Sequence, residues 1–349
     1  MKKIFTLVAM AFVAMSVNAQ NESYTAVDAD GNFSAEFAAI IDGDGKATNV
    51  VNGNSVVKFS TANIEVEGVS TGTPADKKDP DDPTVNLGQD LTIGASIGEN
   101  MYEYTVNSTN PISWVKKNQG DIAFWYVQGT GVPAVSAYAE QIITDGEATG
   151  KYRLGYTSFD PAVGGLPVTG LYYKITTKVD GALKLGMWAN KGNHPTYLVD
   201  ADTKQVSEFL VEGYINGQTY TEEDVAAGKA TEDQVGKKKW LNNEAIQALH
   251  DANENAKPYV IGAGNQPFWG NVIVDAKANK TYYLFQGTTQ IGFQGFTFYP
   301  GKSKEELTGI ESIKNVPVST NASFYNLSGQ KVNDSYKGIV IKNGKKVIK

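Results

Sequence analysis

The chain has 349 residues, of which 41% are hydrophobic and 20% charged, with a formal net charge of -7 at neutral pH. That hydrophobic share is ordinary for a packed interior and excludes a chain that is disordered throughout. The sequence has no cysteine, which excludes a disulfide framework and a lipid anchor on a mature N-terminal cysteine, and Arg153 is its one arginine, which excludes a bidentate arginine cluster for phosphates.

The first element in chain order is "MKKIFTLVAMAFVAMSVNAQ", with two lysines, an apolar run from Ile4 to Val17 and a small-residue exit at Val17-Asn18-Ala19. This is the layout of a secretory signal peptide over residues 1–19, cleaved before Gln20, and its apolar run is short for a membrane span. It predicts an exported protein, extracellular or on the outer cell surface, with the periplasm as the alternative and no transmembrane segment after cleavage. Removing Lys2 and Lys3 leaves 29 basic against 38 acidic side chains, a charge of -9. A body of that sign repels phosphate backbones, so no nucleic-acid partner is expected.

Residues 20–70 form an N-terminal β segment, with strands at Val56–Phe59 and Ile64–Val69, too thin to stand alone and expected to lend strands to the larger body C-terminal to it. The stretch "TGTPADKKDPDDPT", 71–84, has three prolines and blocks of charge, and reads as a linker or long loop. Residues 85–300 read as a β-sandwich or jelly-roll-like body. Asp180-Gly181 predicts a type I′ hairpin turn between a strand with Tyr173 and Ile175 and one with Leu183 and Leu185. Further strands are expected near 268–274, 281–286, 290–293 and 295–299. A helical insertion near 221–256 is announced by capping-box spacings at Thr221/Asp224 and Thr231/Gln234. In it lies an amphipathic helix with Leu241, Ala245, Leu249 and Ala252 on one face, capped by Asn242 or Asn243 and closed by Pro258. The helix would plug one end of the sandwich or wall a cleft. Residues 301–320 read as a second linker and 321–349 as a basic β tail. In that tail Asn343-Gly344 turns Ile339–Lys342 onto Lys345–Ile348, and Ser328-Gly329 turns Phe324–Leu327 onto Gln330–Val332.

Cofactor motifs fail one by one. Gly301-Lys302-Ser303 lacks the upstream glycine of a phosphate loop, and "GAGNQPFWG" has Pro267 where a third glycine belongs. Asp28-Ala29-Asp30-Gly31-Asn32 and Asp42-Gly43-Asp44 are incomplete calcium loops and read as acidic turns. No cofactor and no metal is therefore expected. For catalysis there is no Gly-x-Ser-x-Gly elbow, and only His194 and His250 could act as neutral-pH bases. Asp200 and Asp202 would share one face of a strand about 6–7 Å apart, a spacing compatible with glycosidase carboxylates. The commoner reading of such a pair is a turn, and no catalytic residue is assigned.

The aromatic residues are more informative. A ring face packs on the C–H face of a sugar while amides hydrogen-bond its hydroxyls. Trp188 with Asn190, Asn193 and His194, and Trp269 with Asn271, combine the two. They are the candidate ligand-binding residues, against the plainer reading of each tryptophan as core filler.

The segment "KTYYLFQGTTQIGFQGFTF" resembles the final strands of β-sandwich, carbohydrate-binding-module-like proteins exported by Bacteroidetes. Gly309-Ile310-Glu311, with "FYNLSGQKV" and "KGIVIKNGKKVIK" after it, resembles the C-terminal sorting-type tails of the same group. The resemblance implies a small β-structure handled by an export and surface-attachment apparatus. The expected function is non-catalytic binding of a polysaccharide or surface glycan. A structural or adhesive surface protein without a sugar site is the alternative, and a polysaccharide-active enzyme is a third reading.

Overall fold

The computed structural model describes residues 20–26, 35–38, 50–51, 54–71, 81, 91–106, 113–119, 122–128, 133–252, 260–261, 267–287, 291–307, 324–326, 331–332, 339–342 and 345–348. The leader at 1–19, the acidic loops at 28–32 and 42–44 and most of the 71–84 stretch lie outside the described residues. The chain divides into two compact units, Met1–Thr308 and Gly309–Lys349.

The protein is mainly β, as its β-branched and aromatic runs predict. The strands, in chain order, are β1 (Glu22–Thr25), β2 (Val50–Val51), β3 (Asn54–Ser60), β4 (Ile64–Thr71), β5 (Leu91–Gly98), β6 (Met101–Val106), β7 (Ser113–Gln119) and β8 (Ile122–Gln128). They continue with β9 (Ala134–Thr144), β10 (Glu147–Ser158), β11 (Leu171–Thr177), β12 (Gly181–Ala189), β13 (Thr196–Asp200), β14 (Leu210–Thr219), β15 (Lys238–Leu241), β16 (Phe268–Ala276), β17 (Thr281–Gln286) and β18 (Ile291–Pro300). The second unit adds β19 (Phe324–Asn326), β20 (Lys331–Val332), β21 (Ile339–Lys342) and β22 (Lys345–Ile348).

Two antiparallel sheets face each other across the core. The first runs β15-β14-β16-β12-β18-β8-β7, with β1 sharing the free side of β18 with β8. The second runs β13-β17-β11-β4-β3-β2. Alternation decides what each strand buries: Leu183, Leu185, Met187 and Ala189 of β12 point into the core, opposite Leu171, Tyr173 and Ile175 of β11. Aromatic rings bridge the sheets. Phe59 stacks on Phe293 at 4.6 Å, Tyr173 lies 5.6 Å from Phe293, and Tyr24 packs 4.7 Å from Phe59. Each such burial is worth about 1.5–3 kcal/mol, so this layer contributes substantially to holding the sheets together.

The Asp180-Gly181 hairpin does not form. Neither residue has positive φ, and β11 and β12 belong to different sheets, so the chain here arches across the sandwich. The reason is tertiary. The Asp180 carboxylate accepts the Ala278 N–H at 2.7 Å and pairs with Lys277 at 3.4 Å, tying the arch to the β16–β17 connection. Gly181 is required by crowding: a Cβ there would stand 2.6 Å from the Phe298 ring and from the Tyr299 carbonyl oxygen.

The two strands expected near 290–293 and 295–299 are one bulged strand, β18. Its register against β12 slips between Gly186 and Met187, which leaves Gln294 as the extra residue, with Gly295 beside it at φ 145. A side chain at Gly295 would also meet the Tyr24 carbonyl oxygen at 2.3 Å, so the bulge seats β1. β3 and β4 pair within the second sheet and β4 continues onto β11, so residues before the 71–84 stretch build the same sandwich as those after it.

The insertion after β14 holds both capping boxes. Thr221 caps helix Glu222–Ala226 through Asp224, and the Thr231 N–H donates to Gln234 Oε1 at 2.8 Å. It also holds a strand that the sequence does not announce, β15, which forms an edge of the first sheet. Helix Asn243–Asp251 is capped by Asn242, which accepts the Ala245 N–H at 3.0 Å, while Asn243 accepts the Val211 N–H at 3.0 Å. Its Ile246 is buried in the sandwich core, with Ala245 and Leu249 packed against it. The helix therefore closes the core beside β14 and β15. Ala252, expected on that face, is exposed at the C-cap. Residues 301–307 also belong to this unit, because the Lys304 N–H donates to Asp275 Oδ1 at 2.7 Å and its ammonium lies 3.6 Å from Asp275 Oδ2.

The third sheet runs β10-β9-β6-β5, and its outer strands β5 and β10 are largely exposed. In the second unit β19 sits between β20 and β21, and β21 pairs β22 with Lys342 opposite Lys345, so two residues join them, as the sequence predicts. The turn residues Asn343-Gly344 and Ser328-Gly329 lie outside the described residues.

Candidate functional site

The strand pairing unites the two candidate stretches. β12 and β16 are antiparallel neighbours, and their register sets Trp188 directly opposite Trp269. Met187 and Ala189 on either side of Trp188, and Phe268 beside Trp269, face the sandwich core, so both tryptophans lie on the other, outer face of the first sheet. The row continues on that face. Trp269 is opposite Tyr214 of β14, and Tyr214 is opposite Trp240 of β15, their rings edge-to-face at 4.9 Å. Four aromatic side chains from four strands thus stand side by side, a juxtaposition invisible in sequence because it joins residues far apart along the chain.

A polar row runs beside the aromatic one. Asn271, two residues beyond Trp269, is opposite Glu212 and donates to its Oε1 at 2.8 Å; the Lys184 ammonium reaches the same oxygen at 2.8 Å. The pair is mostly shielded, at 20% and 14% side-chain exposure, so its attraction is less damped by solvent than that of a surface pair. On the other side of the aromatic row the Lys238 ammonium lies 4.8 Å from the centre of the Trp269 ring, a cation–π contact. Neighbouring Lys239 is held by Asp224 at 2.6 Å. The Lys239 ammonium, helped by the Thr221 N–H, keeps the Asp224 carboxyl below the usual carboxylate range.

Trp188 and Trp269 are buried, at 5% and 2% exposure, so their rings present no open face to a ligand. Their burial agrees with the plainer expectation of core filler, although they pack on the outer face of the first sheet rather than between the two sheets. Trp240, whose place beside lysines suggests an edge or loop residue, lies on an edge strand with 39% exposure. The sequence gives little sign of β15, a strand of four residues of which two are lysines.

Asn190, Asn193 and His194 lie in the loop from β12 to β13, all half-buried. Gln286, fully buried at the end of β17, shapes this loop by donating to the carbonyls of Lys191 at 2.8 Å and His194 at 3.2 Å, and to Thr196 Oγ1 at 3.3 Å. The Gly287 N–H adds a bond to the Pro195 carbonyl at 2.9 Å.

Asp200 and Asp202 do not share a strand face. β13 ends at Asp200, whose Oδ1 accepts the N–H groups of Asp202 at 2.8 Å and Thr203 at 2.9 Å in a tight turn, while Asp202 pairs with Lys280. Burial raises the Asp200 pKa, but the Thr203 and Asp202 N–H groups and the Lys280 charge outweigh it and bring the carboxyl below its ordinary value. Such a group is a poor proton donor at neutral pH. Among the described residues no cluster of three or more histidine and carboxylate side chains could hold a metal ion, and no helix is long and apolar enough to cross a membrane. The sequence matches no family model and no curated protein.

Proposed function

We propose that this chain is an exported, non-catalytic protein that binds a polysaccharide or surface glycan through the first sheet of its β-sandwich. The observation that carries the reading is the meeting of Trp188 and Trp269 in cross-strand register on the outer face, with Asn271 beside them. Trp188 and Trp269 supply the apolar floor of that face, and Asn190, Asn193, His194 and Asn271 supply amide and imidazole groups able to bond sugar hydroxyls. The turn that occupies Asp200 and Asp202 favours binding over hydrolysis.

A glycan array on the purified protein tests this. Binding is expected to survive Asp200→Asn and to be weakened in Asn271→Ala with the circular dichroism spectrum unchanged; binding abolished by Asp200→Asn would favour the enzyme reading instead. The intact mass of protein from culture medium and from washed cells tests export, the expected species beginning at Gln20. The burial of Trp188 and Trp269 supports a second reading, a structural or adhesive surface protein. Absence of any glycan signal would favour it.

A further inference from the structure

The geometry points to Trp240 as the sugar-stacking ring of this protein and to a neutral glycan as its ligand, a proposal that rests on the glycan-binding reading and locates its contact surface. Of the four aromatic side chains in the outer row, Trp240 is the one at the sheet edge, 39% exposed, while Trp188 and Trp269 are buried. Tyr214 meets it edge-to-face at 4.9 Å and so limits the ring's rotation, which a stacking platform needs. Hydrogen-bonding groups flank the ring on both sides. Lys238 is two residues along the same strand and therefore on the same face, with exposed Thr219 opposite it in register. On the other side Glu212 stands two residues before Tyr214, bonded to Asn271. A pyranose has an apolar C–H face and a rim of hydroxyls, and this arrangement matches both.

β14 is built to open this edge. Its register against β15 slips by three residues between Tyr214 and Thr219, and Gly217 at φ 84 lies inside the slip. The lysines nearby are engaged: Lys237 with Asp233 at 3.4 Å, Lys239 with Asp224 at 2.6 Å, Lys184 with Glu212 at 2.8 Å, and Lys238 over the Trp269 ring at 4.8 Å. An uncharged sugar disturbs none of these pairs, whereas a polyuronate would compete with their carboxylates, so the ligand class is neutral.

Isothermal titration of the full chain with cellohexaose, xylohexaose, mannohexaose and a galacturonate hexamer tests both parts. At least one neutral oligosaccharide is expected to bind, with affinity reduced about tenfold or more in Trp240→Ala and less in Trp240→Phe. Tyr156→Ala, an exposed tyrosine of the third sheet, is expected to bind as the parent does. Undiminished binding by Trp240→Ala would overturn the assignment of the ring while leaving glycan binding in place. Preference for the galacturonate would overturn the neutral class, and no binding of any oligosaccharide by the parent chain would bring down the glycan reading and this site with it.

Discussion

Glu22 shows how single side chains hold this sandwich together. It stands on β1 of the first sheet, yet its carboxylate accepts Thr61 Oγ1 and Asn63 Nδ2 at 2.5 Å and the Asn63 N–H at 2.9 Å, all in the β3–β4 turn of the second sheet. Partial burial raises its pKa, but these donors and Lys178 win, and the carboxyl sits below its ordinary value. A carboxyl depressed in the folded state contributes stability that is full above the unfolded pKa of about 4 and fades as pH falls through the folded value. Glu22→Ala should therefore cost about 1–3 kcal/mol at pH 7, with the gap to the parent narrowing below about pH 4. Urea midpoints measured across pH check this. At Gln286, Leu substitution should cost about 1–3 kcal/mol, because the part-buried carbonyls of Lys191 and His194 lose their donor. Amide exchange at Gly287 should quicken in parallel, since its bond to Pro195 depends on the same loop.

At the scale of elements, the helix Asn243–Asp251 is held by packing more than by its own sequence. Nine residues are too few for a stable isolated helix. Removing the cap with Asn242→Ala should cost about 1 kcal/mol, whereas Ile246→Ala, which empties a place in the sandwich core, should cost about 2–5 kcal/mol. Chemical unfolding should give that order; the reverse would mean that the helix is not the closure of the core. The bulge in β18 gives a backbone counterpart. Gly295→Ala places a side chain at φ 145 against the Tyr24 carbonyl and should displace β1, costing about 1–3 kcal/mol or more. Loss of the Tyr24–Phe59 ring contact, monitored by aromatic proton shifts, is the readout.

At the scale of the molecule, the chain threads both sheets before and after the 71–84 stretch. β1 lies on β18, and β3 and β4 lie between β11 and β2. A polypeptide beginning at residue 85 would expose the flank of β11 and leave Phe293 without the Phe59 ring. It should show no cooperative unfolding transition, which calorimetry on the truncated and full chains would reveal. Whether a proline-rich, charged stretch separates domains depends on which strands pair across it, and here β4 pairs β11.

Much of the fold could be read from local chemistry. The strands at Val56–Phe59, Ile64–Val69, 268–274 and 281–286, both capping boxes, a cap at Asn242 or Asn243 and the strand pairs of the tail all come from alternation and turn or cap residues acting within a few positions. The candidate tryptophans were likewise visible as aromatic residues beside amides. Pairing over long separations could not be read this way. Asp180-Gly181 has the composition of a hairpin turn, yet burial of Gly181 under Phe298 and capture of Asp180 by Ala278 make it an arch between sheets. The same holds for the site. That Trp188 meets Trp269, and that Trp240 rather than either of them keeps an open ring, was decided by strand order and by which face each strand turned to the core. Those are set by the summed burial of the whole sandwich, a quantity no short window of sequence contains.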